Sequence, residues 1–405
     1  MGVPLHGSGG MKVLHFLPVW EPAWQYGGPI RSVLQICKAI QSNGAEVRVI
    51  TTNAGIDDWP NIKLGRELIR SGVSVTYFPA TLNALSIISS PKLLESASEY
   101  LEWADIFHIS AIWHPIGLEL QKMACGHNVP FIQSLRGALS PYSFSQKFFK
   151  KVPYYFSLER PLLSQASAIH VTSSSEYSES FKPFLCLPRS LPRLVIPNIS
   201  EPCDSLVNDM HKQDTLSELD FNSDIPTLLV CGRIDHKKGL DLLPQVLHSV
   251  QSLPWNLLIV GSDHDSSLSQ LMEGLDMFSA NHQIKYLGLL PPSQLPLIYS
   301  ISDLLLMPSR HENFGNVALE ALKQGCQVLL STNVGIVDHL TQIKHSTLWG
   351  ASLPRDLSLW SSWLESWLYS YSHANRYVMS DDFKFYFSSQ RVSRLWLDAY
   401  TGLLS

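Results

Sequence analysis

The stretch SRHENFGNVALEALKQG, Ser309–Gly325, decides how this chain is read. It overlaps the end of DLLLMPS (Asp303–Ser309), a short apolar run of the kind buried on both faces of a parallel sheet. A polar loop holds Glu312, and a helix then reads as starting near Phe314–Asn316, with Glu320 about one turn inside it. In open parallel sheets ligands bind beyond the carboxyl ends of the strands, so Ser309–Gly315 lies where a ligand would sit. The free N–H groups and positive dipole end of the helix favour phosphate there, and Gly315 allows close backbone approach. Glu320 is placed to accept hydrogen bonds from a ribose diol, and Glu312 to reach another hydroxyl-bearing group. A phosphate flanked by two hydroxyl acceptors describes a nucleotide sugar.

Reading outward, the same alternation fills the chain. KVLHFLP (from Lys12) is a first strand, and GGPIRSVLQICKAIQSNG is its helix, with Val33, Leu34, Cys37 and Ile40 at helical spacing and Gly44 at the stop. AEVRVITT, VSVTYFP, DIFHIS, PFIQSL and AIHVTS read as further strands. LPRLVIPNISEPCDSLVNDM is Pro-rich and polar and reads as a linker. The pattern restarts with TLLVCGR, WNLLIVGS, IKYLGLL, DLLLMPS and QVLLST, and SSQRVSRLWLDAYTGLLS is an amphipathic closing helix. The expected fold class is α/β, with two Rossmann-like halves carrying parallel sheets covered on both faces. Their expected bounds are 11–198 together with 386–405, and 205–385.

Composition narrows the function. The 405 residues suit two domains of roughly 200 each, and a 45% apolar content can fill both cores. A net charge of −5 gives no general footprint for nucleic acid. Six scattered cysteines without a CxxC pair argue against a zinc site or a disulfide framework and fit a reducing cytosol. No run reaches the roughly 18 apolar residues of a spanning helix, and the run after Lys12 is too short for a usual signal peptide. MGVPLHGSGG, before Met11, carries no pattern and is assigned no role.

A diphosphate needs fixed cations. CGRIDHKKGLDLL supplies Arg233, Lys237 and Lys238 just after a strand, where a guanidinium and an ammonium stabilise charge developing on a leaving group.

With these pieces in place, the chain resembles the retaining glycosyltransferases of the GT-B fold, family 4 (group 1). The carriers are YGGPIRSV, CGRIDHKKGLDLL, IKYLGLLPPSQLPLIYSISDLLLMPS and HENFGNVALEALKQGCQVLLSTNVG, in family order and covering most of the chain from Lys12. The resemblance implies two Rossmann-like domains facing across a cleft, with the C-terminal helix returning to the N-terminal domain. It implies that Arg233 and Lys238 hold the donor diphosphate, that Glu312 touches the transferred sugar, and that Glu320 takes the ribose hydroxyls. The amides of Phe314, Gly315 and Asn316 would cover sugar and phosphate. Gly27 and Gly28 would let the first N-terminal loop approach the diphosphate, and Gly261 and Leu290 would border nucleotide and base. The donor is then UDP- or GDP-linked, and the acceptor is a hydroxyl of a glycan or lipid-linked molecule in bacterial surface polysaccharide synthesis. Neither metal nor other cofactor is expected, and the location is the cytoplasm, at the inner face of the plasma membrane.

The chain departs from the family at one position. Where many members carry a histidine followed by glycine, SLRGALSPYS places Arg136 before Gly137. Arginine cannot serve as a base near neutral pH, but it can bind phosphate or sugar hydroxyls. His108 and His114 end another strand and read either as acceptor contacts or as structural residues. Asp263 and Asp265 in GSDHDSS imitate a metal-binding D-x-D, against which the two-half pattern argues. Ser173 and Glu176 read as a helix capping box. FSQKFFKKVPYYFSLERPLL, Phe144–Leu163, suits either a helix on an anionic membrane surface or an ordinary half-exposed helix. A nucleotide-sugar epimerase of the same fold, or a non-catalytic sugar-binding scaffold, are the alternative functions.

Overall fold

The continuous apolar runs become strands with both faces covered, as at Ile106–Ile109, Phe131–Ser134, Ala168–Val171 and Leu304–Met307, where every residue is buried. The computed structural model describes residues 10–56, 63–82, 87–200, 209–278, 282–343, 350–372 and 377–405. The chain divides into two units: the residues up to Ile199 with Phe387–Ser405, and Ser200–Tyr386.

The first unit holds β1 (Lys12–Val19), β2 (Glu46–Thr52), β3 (Glu67–Arg70), β4 (Val73–Phe78), the hairpin β5 (Thr81–Leu82) and β6 (Ile88–Ser89), β7 (Ile106–Ile109), β8 (Phe131–Ser134), β9 (Ala168–Val171) and β10 (Arg193–Val195). Its sheet runs β10-β9-β8-β7-β1-β2-β4-β3, parallel throughout except that β3 pairs antiparallel to β4. Phe16 of β1 registers with Ile50 on one side and Ile109 on the other, so strand order reverses around β1 and β7. The second unit holds β11 (Thr227–Cys231), β12 (Asn256–Val260), β13 (Gln283–Tyr286), β14 (Leu304–Met307), β15 (Gln327–Ser331) and β16 (Gly350–Leu353). Its order is β13-β12-β11-β14-β15-β16, all parallel, so the reversal falls between β11 and β14. Loops after those two strands open into one crevice.

Three differences from the sequence reading concern short or broken elements. The stretch read as linker begins with β10, which pairs with β9, and continues after the undescribed 201–208 into the helix Asp209–Glu218. Phe144–Leu163 is not one helix. Lys147 is left-handed (φ 58°), Pro153 lacks an N–H to donate, and the ladder passes from Phe148–Tyr154 through a π turn at Tyr155–Glu159 to Arg160–Leu163. Glu176 forms only half of a capping box. Ser173 Oγ accepts from the Glu176 N–H (3.2 Å), but the Glu176 carboxylate accepts from Thr172 N and Oγ1 and from Gly137 N instead.

The helix Ser389–Leu404 belongs to the first unit, where Asn43 Nδ2 donates to Ser393 Oγ (3.0 Å). His108, a candidate for acceptor contact, is buried beneath this helix. It forms part of a hydrogen-bond chain whose direction is set at one end. The Ile196 carbonyl can only accept, so His170 Nε2–H donates to it (2.9 Å). His170 Nδ1 then accepts from Ser134 Oγ (2.7 Å), Ser134 accepts from His108 Nε2 (2.6 Å), and His108 Nδ1 accepts from the Tyr400 hydroxyl (3.0 Å). Every link requires neutral imidazoles. The Trp396 ring packs against both histidines, at 4.7 and 4.5 Å.

Burial pushes His170 down to about 3, with Arg136 adding to the shift, and holds His108 well below its ordinary value. Between the unfolded value of about 6.5 and the folded value, the unfolded chain binds the extra proton, so this contribution to stability is lost as pH falls through that window. His170→Gln is expected to lower first-unit stability at pH 7.5. Its deficit relative to wild type should narrow by roughly 2 kcal/mol at pH 5, since only wild type carries the acid penalty of this one imidazole. Hydrogen exchange in peptides spanning β9 and Ser389–Leu404 measures this locally; a deficit independent of pH would mean the imidazole is not held neutral.

Candidate active site

The loops after β11 and β14 carry the site in the second unit. After β11, Asp235 caps a 3-10 turn at His236–Lys238 by accepting from the Lys238 N–H (3.2 Å), and left-handed Gly239 ends the turn. After β14, the Arg310 N–H donates to the Lys237 carbonyl (2.9 Å), joining the two loops through their backbones. Arg355 reinforces the join, donating to Pro308 O (2.9 Å), Gly239 O (3.1 Å) and Asp241, which also receives Arg310.

The join brings Lys238 Nζ to 2.5 Å from Glu312 Oε2, with side chains 13% and 20% exposed. Burial alone would raise the Glu312 carboxyl. The positive charges of Lys238, Lys237 and Arg233 outweigh it and hold the group at about 2. Lys237 is itself lowered by burial, opposed by Glu312. Glu312 is fixed along its backbone as well, donating to Asn333 O (2.9 Å) and accepting from Gly335 N (3.0 Å). Gly315 (φ 97°) then caps the helix Asn316–Lys323, and a Cβ there would lie 2.7 Å from Val334 Cγ1. Only glycine fits both that backbone angle and that space. Phe314 is buried, and its carbonyl accepts from Ile336 N (2.6 Å).

Glu320 is the fifth residue of this helix. It accepts from the hydroxyl of Tyr299 (2.9 Å), a buried side chain on the helix Leu295–Ile301. Burial holds the Tyr299 phenol well above its ordinary value, so it remains a donor. Tyr299 is a site residue that the sequence does not single out, since it sits at helical spacing among apolar residues and looks like core. Lys237, named there among the fixed cations, does act on Glu312 beside Lys238. At the end of β12, Gly261 (φ 148°) packs so closely on Gly232 that a Cβ would lie 1.8 Å from its carbonyl oxygen. Its N–H reaches Gly288, just upstream of Leu290. Asp265 is already engaged, accepting from His236 N in the loop after β11 (2.8 Å) and from Ser267 in its own loop, and Asp263 accepts from Leu268 N (3.4 Å). Among the described residues no group of three or more His, Cys, Asp or Glu could hold a metal ion.

In the first unit, Gly27 (φ 90°) caps the helix Gly28–Ser42, and no atom lies within 4 Å of where its Cβ would be. Arg136 follows β8 in a left-handed conformation (φ 49°), unusual for a residue other than glycine. Its Nη1 donates to Ser32 Oγ (3.0 Å), and that hydroxyl in turn lies 3.1 Å from the Gly28 carbonyl, so Arg136 and Gly28 share one corner. Nε and Nη2 are buried without a protein partner. Burial lowers the guanidinium to about 10, opposed by Glu176, so it stays charged near neutral pH. His114, beyond the end of β7, occupies the N-cap position of the helix Pro115–Gly126 without a side-chain capping bond, and burial lowers it to about 4.

The family model for glycosyl transferases group 1 matches residues 212–349, and the model for the glycosyl transferase 4-like domain matches residues 27–183. A Methanocaldococcus jannaschii protein named as a glycosyltransferase is 25% identical over 336 residues, 78% of this chain and 80% of that one. Glycogen synthase of Geotalea daltonii is 32% identical over 124 residues, a match that takes in 30% of this chain and only 24% of the relative's own length. Among solved structures, Anabaena HepE in complex with UDP and glucose aligns over 97% of this chain and all of its own, with a TM-score of 0.71 at 15% identity. WaaG, a glycosyltransferase involved in lipopolysaccharide biosynthesis, aligns over 96% and 99% with a TM-score of 0.61 at 17% identity. With matching domains in both units and this fold, the chain belongs to the group 1, family 4-like glycosyltransferases of the GT-B fold.

Proposed function

We propose that the chain transfers a sugar, with retention of anomeric configuration and without a metal, from a UDP- or GDP-linked donor to a hydroxyl of a glycan or lipid-linked acceptor. Bacterial surface polysaccharide synthesis, in the cytoplasm at the inner membrane face, is the setting we infer. The observation that carries the chemistry is the convergence of Arg233, Lys237 and Lys238 on Glu312 beside the start of the Asn316–Lys323 helix. The UDP and UDP-glucose held by Anabaena HepE support the nucleotide-sugar class. The free thiols of Cys37, Cys125, Cys186, Cys231 and Cys326 support a reducing compartment.

An ammonium has three N–H donors, and Glu312 engages one on Lys238, so the same nitrogen can also meet a phosphate oxygen. Arg233 and Lys237 add positive charge where the diphosphate would gain negative charge on leaving. Glu312 stays ionised across the physiological range, which suits it to accept from a sugar hydroxyl and not to donate a proton. Its charge is already engaged by Lys238, which makes it a poor nucleophile, whereas retaining glycosidases use a free carboxylate about 5 Å from its partner. Front-face displacement fits these restraints. The bond from C1 to the phosphate oxygen breaks as the acceptor oxygen bonds on the same face, and the acceptor proton passes to the departing phosphate. The protein then contributes orientation and charge stabilisation. Glu320, steadied by Tyr299, would take the ribose hydroxyls; within the first unit, Arg136 and the Gly27–Gly28 loop would bind a phosphate or acceptor hydroxyls.

Kinetics of two variants test this reading. Lys238→Ala should lower kcat by about a hundredfold or more, since its charge matters most as the diphosphate leaves. Glu320→Ala should weaken donor binding by about tenfold with a smaller effect on kcat, because those hydrogen bonds persist from ground state to transition state. Wild-type kinetics in both variants would remove the site from this crevice.

Activity should survive EDTA. Loss on chelation with recovery in manganese would instead promote Asp263 and Asp265 to ligands. Slow hydrolysis of a nucleotide sugar by the purified chain separates a transferase from a binding scaffold, and release of an epimer of the donor sugar would mark an epimerase.

A further inference from the structure

We propose that the first-unit face formed by Phe148–Leu158 and the turn at Phe184 docks on an anionic lipid bilayer. The helix Phe148–Tyr154 contributes no buried residue, although it carries two phenylalanines, a valine and a tyrosine. Phe149 is 90% exposed and Phe148 49%, with their rings edge-to-face at 5.7 Å. Phe156 and Leu158, on the π turn that follows, are 40% and 42% exposed. Phe184 (45% exposed) is held beside them by the Phe144–Phe184 ring contact at 5.6 Å. Hydrogen bonds from Tyr155 OH to Leu185 O and from Arg160 Nε to Cys186 O, both 2.9 Å, fix the same turn. The exposed rings therefore stand on an anchored base.

Charge identifies the occupant. Residues 141–158 contain Lys147, Lys150 and Lys151 and no acid, and residues 181–190 contain Lys182 and Arg189 and no acid, in a chain whose net charge is −5. The next acid, Glu159, points inward and accepts from Trp113 N (2.7 Å). Lys151 is engaged by Ser143 and the Trp113 ring, which leaves Lys147, Lys150, Lys182 and Arg189 exposed. A second copy meeting this face about a two-fold axis would set lysines against lysines. Anionic headgroups neutralise them, while aromatic rings among lysines sit at the depth where headgroup meets acyl chain. No helix among the described residues is long and apolar enough to cross a membrane, so the attachment is peripheral. Docking does not depend on the donor chemistry. Its use, bringing the enzyme to a lipid-linked acceptor, rests on the proposed function.

The test is sedimentation of the full chain with vesicles of phosphatidylcholine alone, or of phosphatidylcholine with about one-third phosphatidylglycerol. The chain should pellet with the mixed vesicles and far less with the neutral ones, and binding should fall as salt rises from about 0.1 to 0.5 M. Lys147→Glu with Lys150→Glu, and separately Phe148→Ser with Phe149→Ser, should each reduce binding by about tenfold or more. Donor hydrolysis without vesicles should be unchanged in both. Failure of wild type to bind, or equal binding by all variants, overturns the proposal. So does a wild-type dimer that these substitutions dissociate, because the face is then a protein interface. Vesicle binding without donor hydrolysis would sink the transferase reading and leave the docking surface standing.

Discussion

An ammonium and a carboxylate held 2.5 Å apart at the ends of adjacent strands impose a demand on everything around them. Removing such a pair from water costs several kcal/mol per ion, and their attraction recovers that only when the geometry is held. The loops after β11 and β14 hold it through Arg310 N to Lys237 O and through Arg355, which ties Pro308, Gly239 and Asp241 together. Gly239 and Gly315 supply backbone angles that let both loops turn away again. The order of strands in the sheet makes this possible, since only neighbours with diverging connections leave such a crevice.

The first unit repeats the logic with different residues. Arg136 is buried near Glu176, whose carboxylate is saturated by Thr172 and Gly137, so the guanidinium is balanced electrostatically without being consumed. In both units a buried cation lies near a carboxylate, bonded to it in the second unit and to Ser32 Oγ in the first, and keeps donors to spare. That arrangement suits recognition of an anion that comes and goes. A cation with no carboxylate nearby would pay the full desolvation cost whenever the anion was absent.

The parallel sheets were legible in the sequence because strands buried on both faces must be apolar throughout, and such runs separated by helix-length segments have few other solutions. The Glu312 and Glu320 spacing was legible because a strand end, a glycine and a helix start adjoin within one short stretch. The short edges were not. β3, β10 and β16 are three or four residues long and mostly half-exposed, so neither periodicity nor hydrophobicity marks them. Tyr299 escaped notice because its hydroxyl meets Glu320 from another helix, a contact that no local pattern encodes. His108 was open in the sequence between acceptor contact and structural residue. A histidine at a strand end resembles a ligand contact, and only the packing of Trp396 and Tyr400 reveals it as a structural link.

That link bears on how the chain is made. Residues 389–404 complete a unit whose other parts were synthesised nearly two hundred residues earlier, and the whole second unit lies between them in sequence. On the ribosome, translation at about 5–20 residues per second leaves the first unit without its covering helix for tens of seconds. During that interval the surface awaiting Val392, Trp396 and Tyr400 faces water. The second unit, encoded without interruption, has all its strands before the first has its last helix. A nascent chain of this design therefore finishes its later half first, and a chaperone that shields apolar surface would find its target on the earlier one.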